Sequence, residues 1–368
     1  MYKKGFIDSR TLMFSVAAYY SGTSLLSAFS SAVLGHEAWL AAVFAIFINL
    51  FHVWLYILLI KNFPGKNIIE ISIEVFGNFI GRIFGVLYFV LFFSYGFLNI
   101  NVLSGFITEN VLPHTPPAAI LVLFIAVCCY AAKKGPEVLL KYAEVFFMVS
   151  LGVILFNSIL LLKDVKLTNF LPMFSYPVKE YVKAAHTQGI IPSSGTFLLL
   201  MYLPNVKDGK NIKKALVKGT IIGWIIMVFI MLRDVAILGA AMKVFGNPTF
   251  ETIKMINVAK FFTRMEILYA VILIMMFFFQ ISTIMYCNSV AIAEVFTLKS
   301  YEMLTCPLGV LILCFSLISF ESSAQHAIWG ENYAAMFSTF FDTVLPVITI
   351  AAIFIKNFAK KRSALPRS

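Results

Sequence analysis

Residues 186–205 read HTQGIIPSSGTFLLLMYLPN. Both flanks are apolar enough for a bilayer, yet Gln188, Gly189, Pro192, Ser193, Ser194, Gly195 and Thr196 occupy the middle. These are poor material for an uninterrupted membrane helix. Proline removes a backbone donor and clashes with the preceding turn, and glycine costs about 1 kcal/mol relative to alanine. In hydrocarbon an unpaired backbone group costs several kcal/mol, so irregular backbone persists only where it lines a cavity or is enclosed by protein. A similar disturbance, Tyr19-Tyr20-Ser21-Gly22-Thr23-Ser24, lies within SVAAYYSGTSLLSAFSS at 15–31.

The surrounding composition fixes the class. Of 368 residues, 60% are hydrophobic and only 13% charged, against roughly 25% charged in soluble proteins. The reading is an all-α polytopic membrane protein with no polar stretch long enough for a soluble domain, hence a single transmembrane domain over 1–368. A span needs about 20 mostly apolar residues. Ten such segments fall at about 11–33, 38–60, 83–107, 117–132, 142–162, 185–204, 215–238, 265–296, 303–320 and 333–355. The two disturbed segments are spans one and six, five apart. Interrupted spans at corresponding positions of two halves point to an inverted-repeat transporter fold with its ligand at the breaks. The repeats then cover about 11–162 and 185–355.

On this reading the candidate ligand-binding residues are Ser21, Gly22, Thr23 and Ser24 in span one and Ser193, Ser194, Gly195 and Thr196 in span six. Freed helix N-termini would favour an anionic group, and freed carbonyls a cation. The competing reading is a pair of kinks whose hydroxyls bond back to the preceding turn. Facing helices should offer polar side chains: Tyr95 and Asn99, one turn apart in span three, and Gln280, which shares a face with Ile284 and Asn288 in span eight. Interhelical hydrogen bonds are the alternative use for them. Ionisable residues inside spans need partners. Asp342 in span ten and His52 in span two are the candidate relay groups, with satisfied structural pairs as the alternative, as for Glu144 and for Arg233 beside Asp234. Gly77, Gly81 and Gly85, at four-residue spacing, predict close helix packing.

Basic residues set the orientation. With the N-terminus inside, 20 of the 29 Lys and Arg fall in inner segments and eight in outer ones, and Arg233 lies within a span. Both termini are then cytoplasmic. The net charge of +11 faces anionic lipid rather than nucleic acid. MYKKGFIDSRT runs into the first apolar segment without a convincing cleavage site, so that span is expected to be retained. The five cysteines lie in or beside apolar runs, without metal spacing, and read as packing residues. No P-loop, nucleophile–base spacing, metal cluster or cofactor motif is present, so the expectation is a non-enzyme with no cofactor and no metal.

FIDSRTLMFSVAAYYSGTSLL (6–26), HEAWLA (36–41), FPGKNIIEI with VFGNFIGRIFGVLYF (63–71 and 75–89), PSSGTFLLLMYLPNVKD (192–208) and FFTRMEIL (261–268) together carry a resemblance over nearly the whole chain. In this order and spacing they resemble the B subunits of bacterial spore nutrient germinant receptors, the endospore germination permease branch of the amino acid–polyamine–organocation superfamily. The resemblance implies ten helices in a LeuT-like 5+5 inverted repeat, with a small-molecule germinant held between broken helices 1 and 6. It also implies an A subunit and a C lipoprotein subunit as partners, in the spore inner membrane. By position, Gly22 and Thr23 resemble the first break, and Ser194, Gly195 and Thr196 the second. The chain departs from the family at Thr196, where relatives often carry an acid after Pro-Phe-Gly. Three functions share this architecture: a receptor subunit sensing an amino acid or similar nutrient, a proton-coupled amino acid permease, and a scaffold with a degenerate pocket.

Overall fold

The computed structural model describes residues 7–25, 29–256 and 264–363. Their regular structure is helical: α1 Ser9–Leu25, α2 Phe29–Leu34, α3 Ala38–Asn62, α4 Ile68–Asn110, α5 Pro117–Lys133, α6 Pro136–Leu160, α7 Val178–Leu199, α8 Ile212–Leu238, α9 Pro248–Lys254, α10 Met265–Val295, α11 Glu302–Ile318, α12 Ser323–Trp329, α13 Ala335–Thr339 and α14 Leu345–Ser363. Two π-helical turns, Gly330–Ala334 and Phe340–Val344, join α12, α13 and α14 into span ten. Each predicted span has a helical counterpart. Six stretches are long and apolar enough to cross a membrane, and α5 and α11 are shorter apolar helices. The two predicted spans outside that set are α1 and α7, whose middles carry the hydroxyls and glycines. The chain is a multi-pass membrane protein.

The breaks are not where the sequence reading put them. α7 is helical through Pro192–Thr196, and the backbone tightens to a 3-10 helix only at Leu200–Asn205. Ser193 and Ser194 both donate to the Ile190 carbonyl, at 2.8 and 3.1 Å. α1 is likewise helical through Tyr19–Leu25. There Ser21 donates to Ala17 O at 2.9 Å, Thr23 to Tyr19 O at 3.0 Å and Ser24 to Ser21 O at 2.8 Å. Local back-bonding satisfies these hydroxyls without unwinding the helix. The remainder of predicted span one crosses 26–28, which lies outside the described residues.

The glycines serve close approach instead. α1 packs against α8 and α7. A Cβ on Gly195 would lie 1.9 Å from the Tyr19 ring, and one on Gly223 2.4 Å from Tyr20 Cβ. One on Gly219 would lie 2.5 Å from the Met13 carbonyl. Only glycine lets helices meet this closely. Gly77 departs from the expected packing role: at φ +81 it is a hinge inside α4, while Gly81 and Gly85 do make close contacts, with Ile73 and with Val295 and Ile69. The helix pairing is symmetric under exchange of span one with six and two with seven: α1 on α8 is mirrored by α3 on α7, and α4 pairs with α10.

Two of the conspicuous sequence stretches act as local anchors. In FPGKNIIEI, Asn67 caps α4, accepting from Ile69 N and Glu70 N, each at 3.0 Å, while Glu70 accepts from Asn67 N at 2.9 Å. This reciprocal cap satisfies three backbone donors. In HEAWLA, buried Glu37 accepts from Phe174 N at 2.6 Å, Ser175 N at 3.0 Å and the Tyr181 hydroxyl, fixing the connection before α7. Ile7 N donates to Asn205 O at 3.1 Å and Lys207 N to Ile7 O at 3.0 Å, so the residues before α1 and after α7 close one end of the bundle.

Gly152 in α6 has open space around a would-be Cβ, which makes it the control for Gly195. Gly195→Ala is expected to cost about 1–3 kcal/mol by overpacking, whereas Gly152→Ala should be neutral or gain up to about 1 kcal/mol. Thermal midpoints of the purified variants in detergent report this order. Equal midpoints would contradict the close packing of α7 on Tyr19.

Candidate functional site

Span ten organises the polar interior. Its second π-turn places Ser338 and Asp342 toward α4 and α7, and Thr339 and Thr343 toward two histidines. Such wide turns recur at functional sites because they re-aim side chains. Tyr95 of α4 stands at the centre: its hydroxyl is 2.6 Å from Ser194 Oγ, 3.1 Å from Ser338 Oγ and 3.1 Å from Asp342 Oδ2. Ser194 also contacts Asp342 Oδ2 directly. Asp342 is fully buried, and its Oδ1 has no hydrogen-bond partner among the described residues.

The two histidines hold span ten from the other side. His52 Nδ1 lies 2.8 Å from the Ile48 carbonyl, which can only accept, so Nδ1 carries a proton and Nε2 accepts from the Thr343 hydroxyl at 2.8 Å. Thr339 donates to Ala335 O at 2.6 Å, so it accepts from His186 Nε2–H at 2.9 Å. His52 is thus tied to the neighbour of Asp342 and not to Asp342 itself. His186 was missed in sequence, where it read as the edge of span six.

Gln280 of α10 lies against the bare backbone of Gly22; a Cβ there would sit 2.8 Å from its Nε2. Nε2 donates to Tyr19 O at 3.0 Å and to Thr23 Oγ1 at 3.2 Å. The two acceptors fix which end of the amide is nitrogen. Its Oε1 is buried and left without a partner.

A cavity of about 100 Å³ opens between these groups. Thr23, Tyr95, Asn99, Gln280 and Ser338 supply its polar wall; Leu98, Ile191, Phe277 and Trp329 are among its apolar lining. No Asp, Glu, Lys or Arg among the described residues lines it. Asp342 stands one layer behind, reached through Tyr95 and Ser338. Asn99 donates to Tyr95 O at 2.8 Å, along α4. Of the other expected ligand residues, Ser194 meets the wall through Tyr95, Gly22 and Gly195 are packing surfaces, and Thr196 faces Tyr20 on α1. Ser21, Ser24 and Ser193 bond to their own helices. None of these seven lines the cavity. Ser338 was within reach of sequence reasoning, being one turn before Asp342. Trp329 was not, because it lies before the apolar run that marked span ten.

The cavity adjoins a larger vestibule of about 430 Å³, sharing Val102 and His326 with it. His326 Nδ1 pairs with Asn101 Oδ1 at 2.6 Å and its ring stacks on Phe320. The vestibule lies at the far end of α1, where Tyr269 donates to Leu25 O and packs edge-on against Phe106. The opposite end is closed by the Ile7–Val206 bridge, and beside it Glu144 pairs with Arg10 at 3.4 Å and accepts from Thr11 at 3.3 Å. Arg233 and Asp234 form their own buried pair, which Thr249 joins at 2.6 Å. The site is therefore a small, mostly apolar chamber with a few polar groups in its wall, adjoining the vestibule at one end of α1, with the Ile7–Val206 bridge at the other.

A sequence profile described as "Spore germination protein" matches residues 6–324, ending before Ser338 and Asp342. Spore germination protein KB of Bacillus subtilis (strain 168) is 26% identical over 368 residues, covering 98% of each chain. Spore germination protein YndE of the same organism is 22% identical over 70% of each. Among solved structures, Mhp1, a nucleobase-cation-symport-1 family transporter in a closed conformation with bromovinylhydantoin bound, superimposes with a TM-score of 0.68 at 16% identity, over 95% of this chain and 78% of that one. MhsT in complex with L-phenylalanine gives 0.59 at 16%, over 93% and 87%. The fold is that of the LeuT-like transporters, and by its profile match over most of its length the chain belongs to the spore germination protein family.

Proposed function

We propose that the chain is the membrane subunit of a spore nutrient germinant receptor. It binds a small germinant in the chamber between spans one, three, six, eight and ten. It passes the resulting conformational bias to partners, an A subunit and a C lipoprotein subunit. Similarity to Spore germination protein KB along the full chain supports the receptor assignment. One observation carries the site: Gln280 is among the residues lining the chamber, and its buried Oε1 has no partner among the described residues. A buried polar atom left unpaired costs about 1–3 kcal/mol, and a ligand hydroxyl or N–H removes that cost. Thr23, Tyr95, Asn99 and Ser338 add neutral hydroxyl and amide groups around the same space.

A receptor needs only that its ligand favour one conformation, by an amount limited to its differential affinity. The chamber opens at the vestibule and is shut at the Ile7–Val206 end, so ligand arriving from the vestibule meets a closed far gate. The 20-to-8 distribution of basic residues supports an orientation with that end, and both termini, facing the cytoplasm. The two repeats, about 11–162 and 185–355, would then rock about the chamber. A proton-coupled permease is the second reading, favoured by Asp342 one layer beneath the chamber. Accumulation of a labelled nutrient in liposomes, driven by a proton gradient and abolished by an uncoupler, would select it.

Gln280→Leu keeps a side chain of similar size against Gly22 but removes the acceptor, together with the Nε2–H donations to Tyr19 and Thr23. In a thermal-shift screen of purified protein against amino acids, sugars and nucleosides, any compound stabilising the wild type is expected to bind this variant about 5-fold more weakly, for about 1 kcal/mol. Unchanged binding would place the ligand elsewhere.

The orientation is tested with Lys210→Cys on the connection between α7 and α8. A membrane-impermeant maleimide is expected to label it only after the membrane is opened. Labelling in intact cells would invert the topology.

A further inference from the structure

We propose that Asp342 is a proton-binding site: in this arrangement of the helices it is a neutral carboxylic acid that joins α4, α7 and span ten beneath the chamber. The inference does not depend on which ligand the chamber takes. The elements packed on this turn contribute facing groups, and none of these is a lysine or arginine. α3 brings Tyr56 and, through Thr343, His52. α4 brings Tyr95 and Tyr88. α7 brings Ser194 and, through Thr339, His186. α1 adds Tyr19. No Lys or Arg forms an ion pair with Asp342 among the described residues. A carboxylate that is 0% exposed and has no counter-charge is so costly that such groups take up a proton instead.

Counting protons accommodates the same form. Ser194 has one proton, and two oxygens lie within its reach, the Ile190 carbonyl at 3.1 Å and Asp342 Oδ2. Tyr95 has one proton and three oxygens around it. With a proton on Asp342 Oδ2, that O–H and the Tyr95 O–H both donate to Ser194 Oγ, Ser194 donates to Ile190 O, and Ser338 donates to the Tyr95 oxygen. Every proton then has an acceptor, and only the neutral carbonyl Oδ1 goes without a partner. With Asp342 ionised, Oδ1 carries charge and still has no donor. Loss of the proton therefore destabilises the junction between α7 and span ten relative to any arrangement that admits water to Asp342. Conformations that keep the junction and those that part it are thus linked to proton binding.

Infrared spectroscopy of the purified full chain in nanodiscs reads this directly. Near neutral pH the wild type is expected to show the carbonyl stretch of a neutral carboxylic acid, shifted in D₂O and lost in Asp342→Asn. Ser194→Ala, which removes the acceptor of that proton, should move the band without abolishing it; this assigns the band even where Asp342→Asn fails to fold. Absence of the band from the wild type overturns the proposal. So does a band that persists in Asp342→Asn or stays unmoved in Ser194→Ala.

Discussion

A hydroxyl, amide or carboxyl in hydrocarbon has no water to turn to, and the interior around the chamber is arranged by where such groups find partners. In α1 and α7 the hydroxyls of Ser21, Thr23, Ser24, Ser193 and Ser194 fold back onto their own carbonyls, so both helices stay wound through their polar middles. Glycines then let those helices press together until Gly195 touches the Tyr19 ring. Groups that local bonding cannot satisfy converge on the centre. Tyr95 gathers Ser194, Ser338 and Asp342, and Gln280 caps the Tyr19 carbonyl while its own oxygen stays buried with no partner among the described residues.

Much of this was legible in the sequence, for a physical reason. Hydropathy alone places the spans, because nothing else tolerates a bilayer. Within them any polar residue is conspicuous, so Tyr95, Asn99, Gln280 and Asp342 stand out by residue type against their apolar neighbours. What could not be read is which of them meet. The π-turn at Phe340–Val344 changes the register of span ten, and a regular helical projection from sequence misplaces its faces. PSSGT misleads for a different reason: proline, serine and glycine lower helix propensity in an isolated chain, whereas here a glycine crossing and two back-bonded hydroxyls make the helix the better solution. The tightening of the backbone falls instead at Leu200–Asn205, where Pro204 is the residue that signals it.

The arrangement joins sensing to conformation with few parts. Polar contacts to the chamber come from spans one, three, eight and ten, so a ligand there biases how these spans sit against one another. One layer deeper, Asp342 ties three of the bundle's elements together, and the histidine–threonine pairs hold the same span ten from behind. The Ile7–Val206 bridge at the sealed end uses backbone from both sides of the α1–α7 pair. Movement of either helix therefore acts directly on that bridge.

The central claim is that the ligand enters this chamber, and Trp329 in its lining reports on it. A variant with Trp39, Trp54 and Trp224 replaced by Phe leaves Trp329 as the single indole. Titration with a compound that thermally stabilises the protein should change its emission saturably, over the same concentration range as the stabilisation. Stabilisation by that compound with Trp329 emission unchanged would contradict the account.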